Sequence, residues 1–142
     1  MPSPAISNPA AGRELGRSGT SRREAVALIR SGVSAAVVAR FAETMELPKA
    51  RVFELLGISE RNIPRRVAEG TLKPIESDRF YRLARALALA EEAIGDAAKA
   101  RAWLKRPNRA LGGETPFDFL DTEAGAQEVE NVLQQIKHGV FA

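Results

Sequence analysis

After residue 20, apolar residues recur along the chain at intervals of three and four, the period of an amphipathic helix. Nowhere do they alternate over a useful length as one face of a strand would. The longest stripe is Phe80, Leu83, Leu87, Ala90 and Ile94, which begins after Pro74 and is stopped by Gly95. A second stripe, Val129, Val132, Leu133 and Ile136, follows a cap at Asp121 or Thr122 and ends at Gly139. Between them Asp96 caps a helix holding Trp103 and Leu104, and Thr115-Pro116 reads as an N-cap with a first-turn proline. Upstream, Ser21 and Glu24 form a capping-box pattern, and Gly32 closes that helix. Ser34 caps a helix bearing Val37, Val38 and Phe41. Pro48 stands at a first helical position ahead of Val52, Leu55 and Leu56, and Gly57 ends that helix after barely two turns. Ser59 caps the next, which runs toward Gly70. The expected fold class is all-α.

Composition adds boundaries to that pattern. Residues 1–20 are rich in Pro, Ser, Gly, Ala and Asn without helical period, and we expect a disordered tail there. Residues 21–73 then form a head and residues 74–142 a second helical unit. Of the 142 residues 44% are apolar, enough for a buried core. Cysteine is absent, which excludes disulfides and thiolate metal sites. No apolar run approaches the roughly 20 residues of a membrane span, and the N-terminus lacks the apolar stretch of a secretory signal. The expectation is a soluble cytoplasmic protein with no membrane partner. Residues 1–75 carry a surplus of five positive charges and residues 76–142 a surplus of two negative ones, which together give the net +3. A basic front half suits a polyanion and a near-neutral back half suits a protein, although scattered surface charge gives the same totals.

Candidate chemistry is sparse. The single histidine, His138, falls in the last turn of the last helix, where an imidazolium interacts well with the helix dipole. That reading is favoured over catalysis, since there is no cysteine and no second histidine with which to build a Cys–His pair or a His/Cys zinc set. Gly112-Gly113 is not followed by Lys-Ser/Thr and reads as a turn, not a phosphate loop. Carboxylates occupy capping or solvent positions, with no pair singled out for acid–base work. We expect no enzyme, no cofactor and no metal.

The stretch from Lys49 to Arg66 has the grammar of a helix-turn-helix. A short amphipathic helix ends in Leu56-Gly57, a buried aliphatic (Ile58) follows, and Ser59 caps a second helix with a polar start. The tight turn asks for positive φ, which glycine supplies. In such motifs the start of the second helix meets base edges, so Glu60, Arg61, Asn62, Arg65 and Arg66 are the DNA-binding candidates. Lys73 and the outer arginines would touch phosphate. An ordinary helical corner with a solvated basic face remains the other reading. Pro64 lies inside the second helix, so either that helix starts later than Ser59 or its first turn is distorted.

Several blocks together resemble the Xre/MbcA/ParS antitoxins. They are Leu56-Gly57-Ile58-Ser59-Glu60-Arg61-Asn62-Ile63, Ile75-Glu76-Ser77-Asp78-Arg79, the run from Trp103 to Pro116 containing Pro107-Asn108-Arg109-Ala110-Leu111-Gly112-Gly113, then Leu120-Asp121-Thr122-Glu123-Ala124-Gly125 and the ending Gly139-Val140-Phe141-Ala142. The resemblance spans about residues 25–142. It implies an antitoxin of a bacterial type II toxin–antitoxin pair, with an Xre-like helix-turn-helix head for dimerisation and operon repression. It implies a small helical toxin-binding domain behind that head. The implied partners are operator DNA, a second copy of the chain, and a RES-domain toxin that destroys NAD, joined in a hetero-oligomer. It also implies that Gly139, Val140, Phe141 and Ala142 reach the toxin's active site and that Asn108, Arg109, Leu111 and Gly112 lie in the toxin-facing half. Pro64 departs from the family's unbroken Arg-rich pattern.

The residues themselves are compatible with this. A chain end fits a narrow pocket, Phe141 supplies apolar area, and the terminal carboxylate would meet cationic groups that otherwise hold NAD phosphates. A frayed end, or Phe141 folded back on its own core, is the alternative. Residues 108–113 suit a helix C-cap as well as a partner contact. At the level of function the alternative is a stand-alone helix-turn-helix repressor with no toxin.

Overall fold

A computed structural model describes residues 21–139. The tail expected over residues 1–20, and Val140, Phe141 and Ala142, lie outside the described residues. Within the described residues seven α-helices follow in order: α1 (Arg22–Ser31), α2 (Ala35–Met45), α3 (Lys49–Leu55), α4 (Ile63–Glu69), α5 (Pro74–Ile94), α6 (Ala97–Leu104) and α7 (Glu123–Lys137). Short 3-10 turns cover Glu60–Asn62, Arg109–Leu111 and Asp118–Asp121. Among the described residues the only β pairing is one isolated bridge between Ser34 and Thr71.

Local chemistry explains most of the boundaries. Ser21 accepts from the Glu24 N–H at 3.1 Å, Ser34 from Ala36 at 3.1 Å, Asp96 from Lys99 at 2.8 Å and Thr122 from Gly125 at 2.9 Å. Each bond satisfies one of the free donors at a helix start. Thr115 accepts from the Asp118 N–H at 3.1 Å, but only the four-residue 3-10 turn Asp118–Asp121 follows. Pro64 does not break a helix, because α4 begins one residue earlier at Ile63. In that first turn a missing N–H has no intrahelical partner to lose. The preceding residues Glu60–Asn62 tighten into a 3-10 turn.

The long helix α5 is the spine. It packs against α1 on the head side and against α6 and α7 on the other. Phe80 on α5 meets Phe41 of α2 edge to face, with ring centroids 5.4 Å apart. One continuous buried cluster runs from Val37, Val52 and Phe53 through Phe80, Leu83 and Leu87 to Leu104, Leu120, Val129 and Leu133. Head and second unit therefore share a core.

Three arginines of α5, spaced by three, fasten it to its neighbours. Arg79 donates to the Leu56 carbonyl at 3.0 Å, at the end of α3. Arg82 donates to the Leu120 carbonyl at 3.3 Å, and Arg85 to Glu130 of α7 at 2.7 Å. The Glu130 contact, opposed by burial, raises the Arg85 guanidinium above its ordinary value. Arg51 of α3 pairs with Asp118 and lies over the Phe117 ring, so the head also touches the turn before α7. No helix among the described residues is long and apolar enough to cross a membrane.

Candidate nucleic-acid and partner interfaces

The first surface is built on α3, the turn after it, and α4. Gly57 sits at φ +82°, and a Cβ there would collide with the Arg79 guanidinium. Glycine thus serves both the turn and the close approach of α5. Ile58 is buried, which swings the chain back so that residues 59–65 run along the outside. Glu60, Arg61, Arg65 and Lys73 are exposed. Arg61 makes no ion pair among the described residues, and Arg65, whose side chain is 66% exposed, has only a 3.9 Å approach to Glu69. Asn62 is half-buried and donates to the Ser59 hydroxyl at 3.1 Å, so its amide first serves the local turn.

Arg66 requires a correction. The sequence places it beside Arg65 as a DNA contact, but it points inward and is 6% exposed. Its guanidinium donates to Glu76 at 2.7 Å and to Glu69 at 2.9 Å. These bonds, Glu76 first and against the opposing effect of burial, raise its pKa above the ordinary arginine value. A guanidinium committed to two carboxylates is not available to a phosphate. Of the candidate cations, Arg61, Arg65 and Lys73 are the ones left exposed.

The second surface belongs to the chain behind α5. Asn108 accepts from the Ala110 N–H at 2.9 Å and starts the 3-10 turn Arg109–Leu111. Its backbone closes the loop, with Gly113 N–H donating to the Asn108 carbonyl at 2.9 Å and Asn108 N–H donating to Glu114 at 3.0 Å. Gly112 and Gly113 both hold positive φ, +69° and +89°. Leu111 is 3% exposed, so it anchors the loop in the core and presents nothing to a partner, contrary to its expected place among contact residues. Arg109 is exposed, as is the Gly112 backbone. Farther on, α7 ends at Lys137, and Gly139 at φ +67° turns the chain out of helical geometry. His138 is exposed at that cap. Among the described residues no three His, Asp or Glu side chains converge to hold a metal ion.

The antitoxin Xre-like helix-turn-helix domain model matches residues 24–85, and the antitoxin Xre/MbcA/ParS C-terminal toxin-binding domain model matches residues 89–139. The chain belongs to the Xre/MbcA/ParS antitoxin family. The two models meet within α5, the helix that both units share. An Antitoxin Xre of Yersinia enterocolitica is 34% identical over 143 residues, covering 99% of this chain and 97% of that protein. An Antitoxin Xre of Photorhabdus laumondii is 33% identical, with 92% of this chain and 89% of that protein covered. A relative from a Sphingobium species, named Prs ADP-ribosylating antitoxin, is 28% identical over 82% of this chain and 80% of its own length. This Xre-type antitoxin is accordingly a non-enzymatic regulatory protein with a helix-turn-helix domain and a cognate toxin.

Sequence reasoning missed the residues that set the first surface in place. Glu76, Ser77 and Arg79 all lie on α5 and reach back to the head. The Glu76 and Ser77 side chains are buried. A polar residue in the first turn of a helix is commonplace, and only its burial marks these two as functional supports.

Proposed function

We propose that this antitoxin neutralises a RES-class toxin by delivering residues 139–142 into the toxin's NAD pocket, and that as a homodimer it represses its own operon through the face around Arg61 and Arg65. The observation carrying the first half is the match of a toxin-binding domain up to residue 139, just past the end of α7 at Lys137, where Gly139 takes a positive φ. Phe141 then offers apolar area that a nucleotide-binding pocket accepts. Of residues 108–113, Arg109, Ala110, Gly112 and Gly113 are exposed, and Arg109 is the only charged side chain among them that such a partner could meet. The operator-binding half rests on the exposed cations Arg61, Arg65 and Lys73 beside a short helix whose start is open to solvent. Dimerisation accords with the way such heads read paired half-sites.

Co-expression with the neighbouring toxin tests the mechanism. The full chain should restore growth and cellular NAD, and deletion of residues 139–142 should abolish both. Full rescue by the truncated chain would overturn the pocket-filling mechanism. The name of the Sphingobium relative favours a second version in which the toxin transfers ADP-ribose to a protein. Both reactions consume NAD, so the same pocket-filling mechanism serves either. Mass spectrometry of proteins from intoxicated cells separates them, because only the transferase leaves an ADP-ribose adduct.

A further inference from the structure

The helix that carries the exposed cations is poorly held by apolar packing. α4 has seven residues, far fewer than the roughly 12 at which an isolated helix becomes marginal. Ile63 is half-buried, Val67 is 53% exposed, and the one buried residue of α4 is Arg66. Its partner Glu76, also 6% exposed, splits its two oxygens. One accepts from Arg66 at 2.7 Å and the other from the Lys73 N–H at 2.9 Å. The carboxylate is thereby locked to the first turn of α5. The segment between the helices is pinned as well, with Ala35 N–H donating to Gly70, Leu72 N–H to Val33, and Val33 N–H to the Ser77 hydroxyl. A buried ion pair is a poor source of stability, since removing two charges from water offsets their attraction. Arg66 also leaves its Nε buried without a partner. What the pair does provide is direction, because planar guanidinium and fixed carboxylate meet in few geometries.

We infer that Arg66 and Glu76 are positioning residues that set the pitch of α4 against α5, so that operator affinity depends on a pair that never touches DNA. This rests on the operator-binding reading given above. The signs of two effects separate the pair from a direct contact. Glu76→Gln removes a negative charge near the DNA face, and electrostatics alone would tighten binding. Misalignment of α4 would weaken it.

The experiment measures binding of the full chain to a duplex of its own promoter across a salt series, alongside toxin rescue. Glu76→Gln should weaken binding about tenfold, the value of one misaligned base contact, with the salt slope and toxin rescue unchanged. Arg61→Ala/Arg65→Ala should instead weaken binding and lower the slope by about one for each phosphate no longer neutralised. The double variant Arg66→Met/Glu76→Leu leaves no unpaired buried charge and should behave like Glu76→Gln. Operator binding by Glu76→Gln or the double variant as tight as wild type overturns the inference while leaving the operator reading intact. Loss of helical circular dichroism and of rescue in both variants also overturns it, since the pair would then be a fold element and not a positioning one. No binding by wild type overturns the operator reading and this inference with it.

Discussion

The turn at residues 57–66 and the loop at residues 108–113 are both short and glycine-marked, yet they use their side chains in opposite ways. In the first, Ile58 turns inward and Arg61 and Arg65 stay in solvent. In the second, the most distinctive block of the sequence mostly serves its own geometry. Asn108 caps, Leu111 anchors, and Gly112 and Gly113 supply positive φ. A distinctive motif therefore marks where backbone is demanding, and partner contact is a separate property that exposure decides.

Substitutions can break this contrast, beginning with the largest expected effect. Leu111→Ala should cost about 3 kcal/mol by urea denaturation, as for any buried leucine, and a cost under about 1 kcal/mol would show that the loop is not anchored as described. Gly57→Ala should cost about 2 kcal/mol, from left-handed backbone and the crowded Arg79 guanidinium, and should release the bond from Arg79 to Leu56. Thermal unfolding of Asn108→Ala should report a loss of about 1 kcal/mol, the ordinary value of a cap. Arg109→Ala should leave stability within about 0.5 kcal/mol while weakening toxin binding in calorimetry. An Arg109→Ala protein that binds toxin as wild type does would make the whole loop structural.

Much of the fold was legible because helix caps are local. Ser21, Ser34, Asp96 and Thr122 each bond within three residues, and Gly32 and Gly95 terminate helices in positive φ. Pro48 proved to be a cap with α3 starting at Lys49, and Thr115-Pro116, which reads as a helix start, opens only a turn. The direction of Arg66 was not legible. Its sequence context is a basic run, and its partner Glu76 lies ten residues on, across a chain reversal. Arg79 and the Leu56 carbonyl are 23 residues apart, so no local pattern announces them. Leu111 did leave a trace, since it is the one large apolar side chain in residues 108–113 and leucine is among the residue types most often buried.

The arginines at 79, 82 and 85 make α5 behave as a screw thread. Each step of three residues turns about 60° short of a full circle, so the trio fans through about 120° and grips the head at one end and α7 at the other. Inserting one residue between Arg79 and Arg85 would rotate one half about 100° against the other. Four residues would nearly restore the phase but separate the halves by about 6 Å. Chimeras that exchange heads and tails within this family should therefore work only when the residue count along this helix is kept.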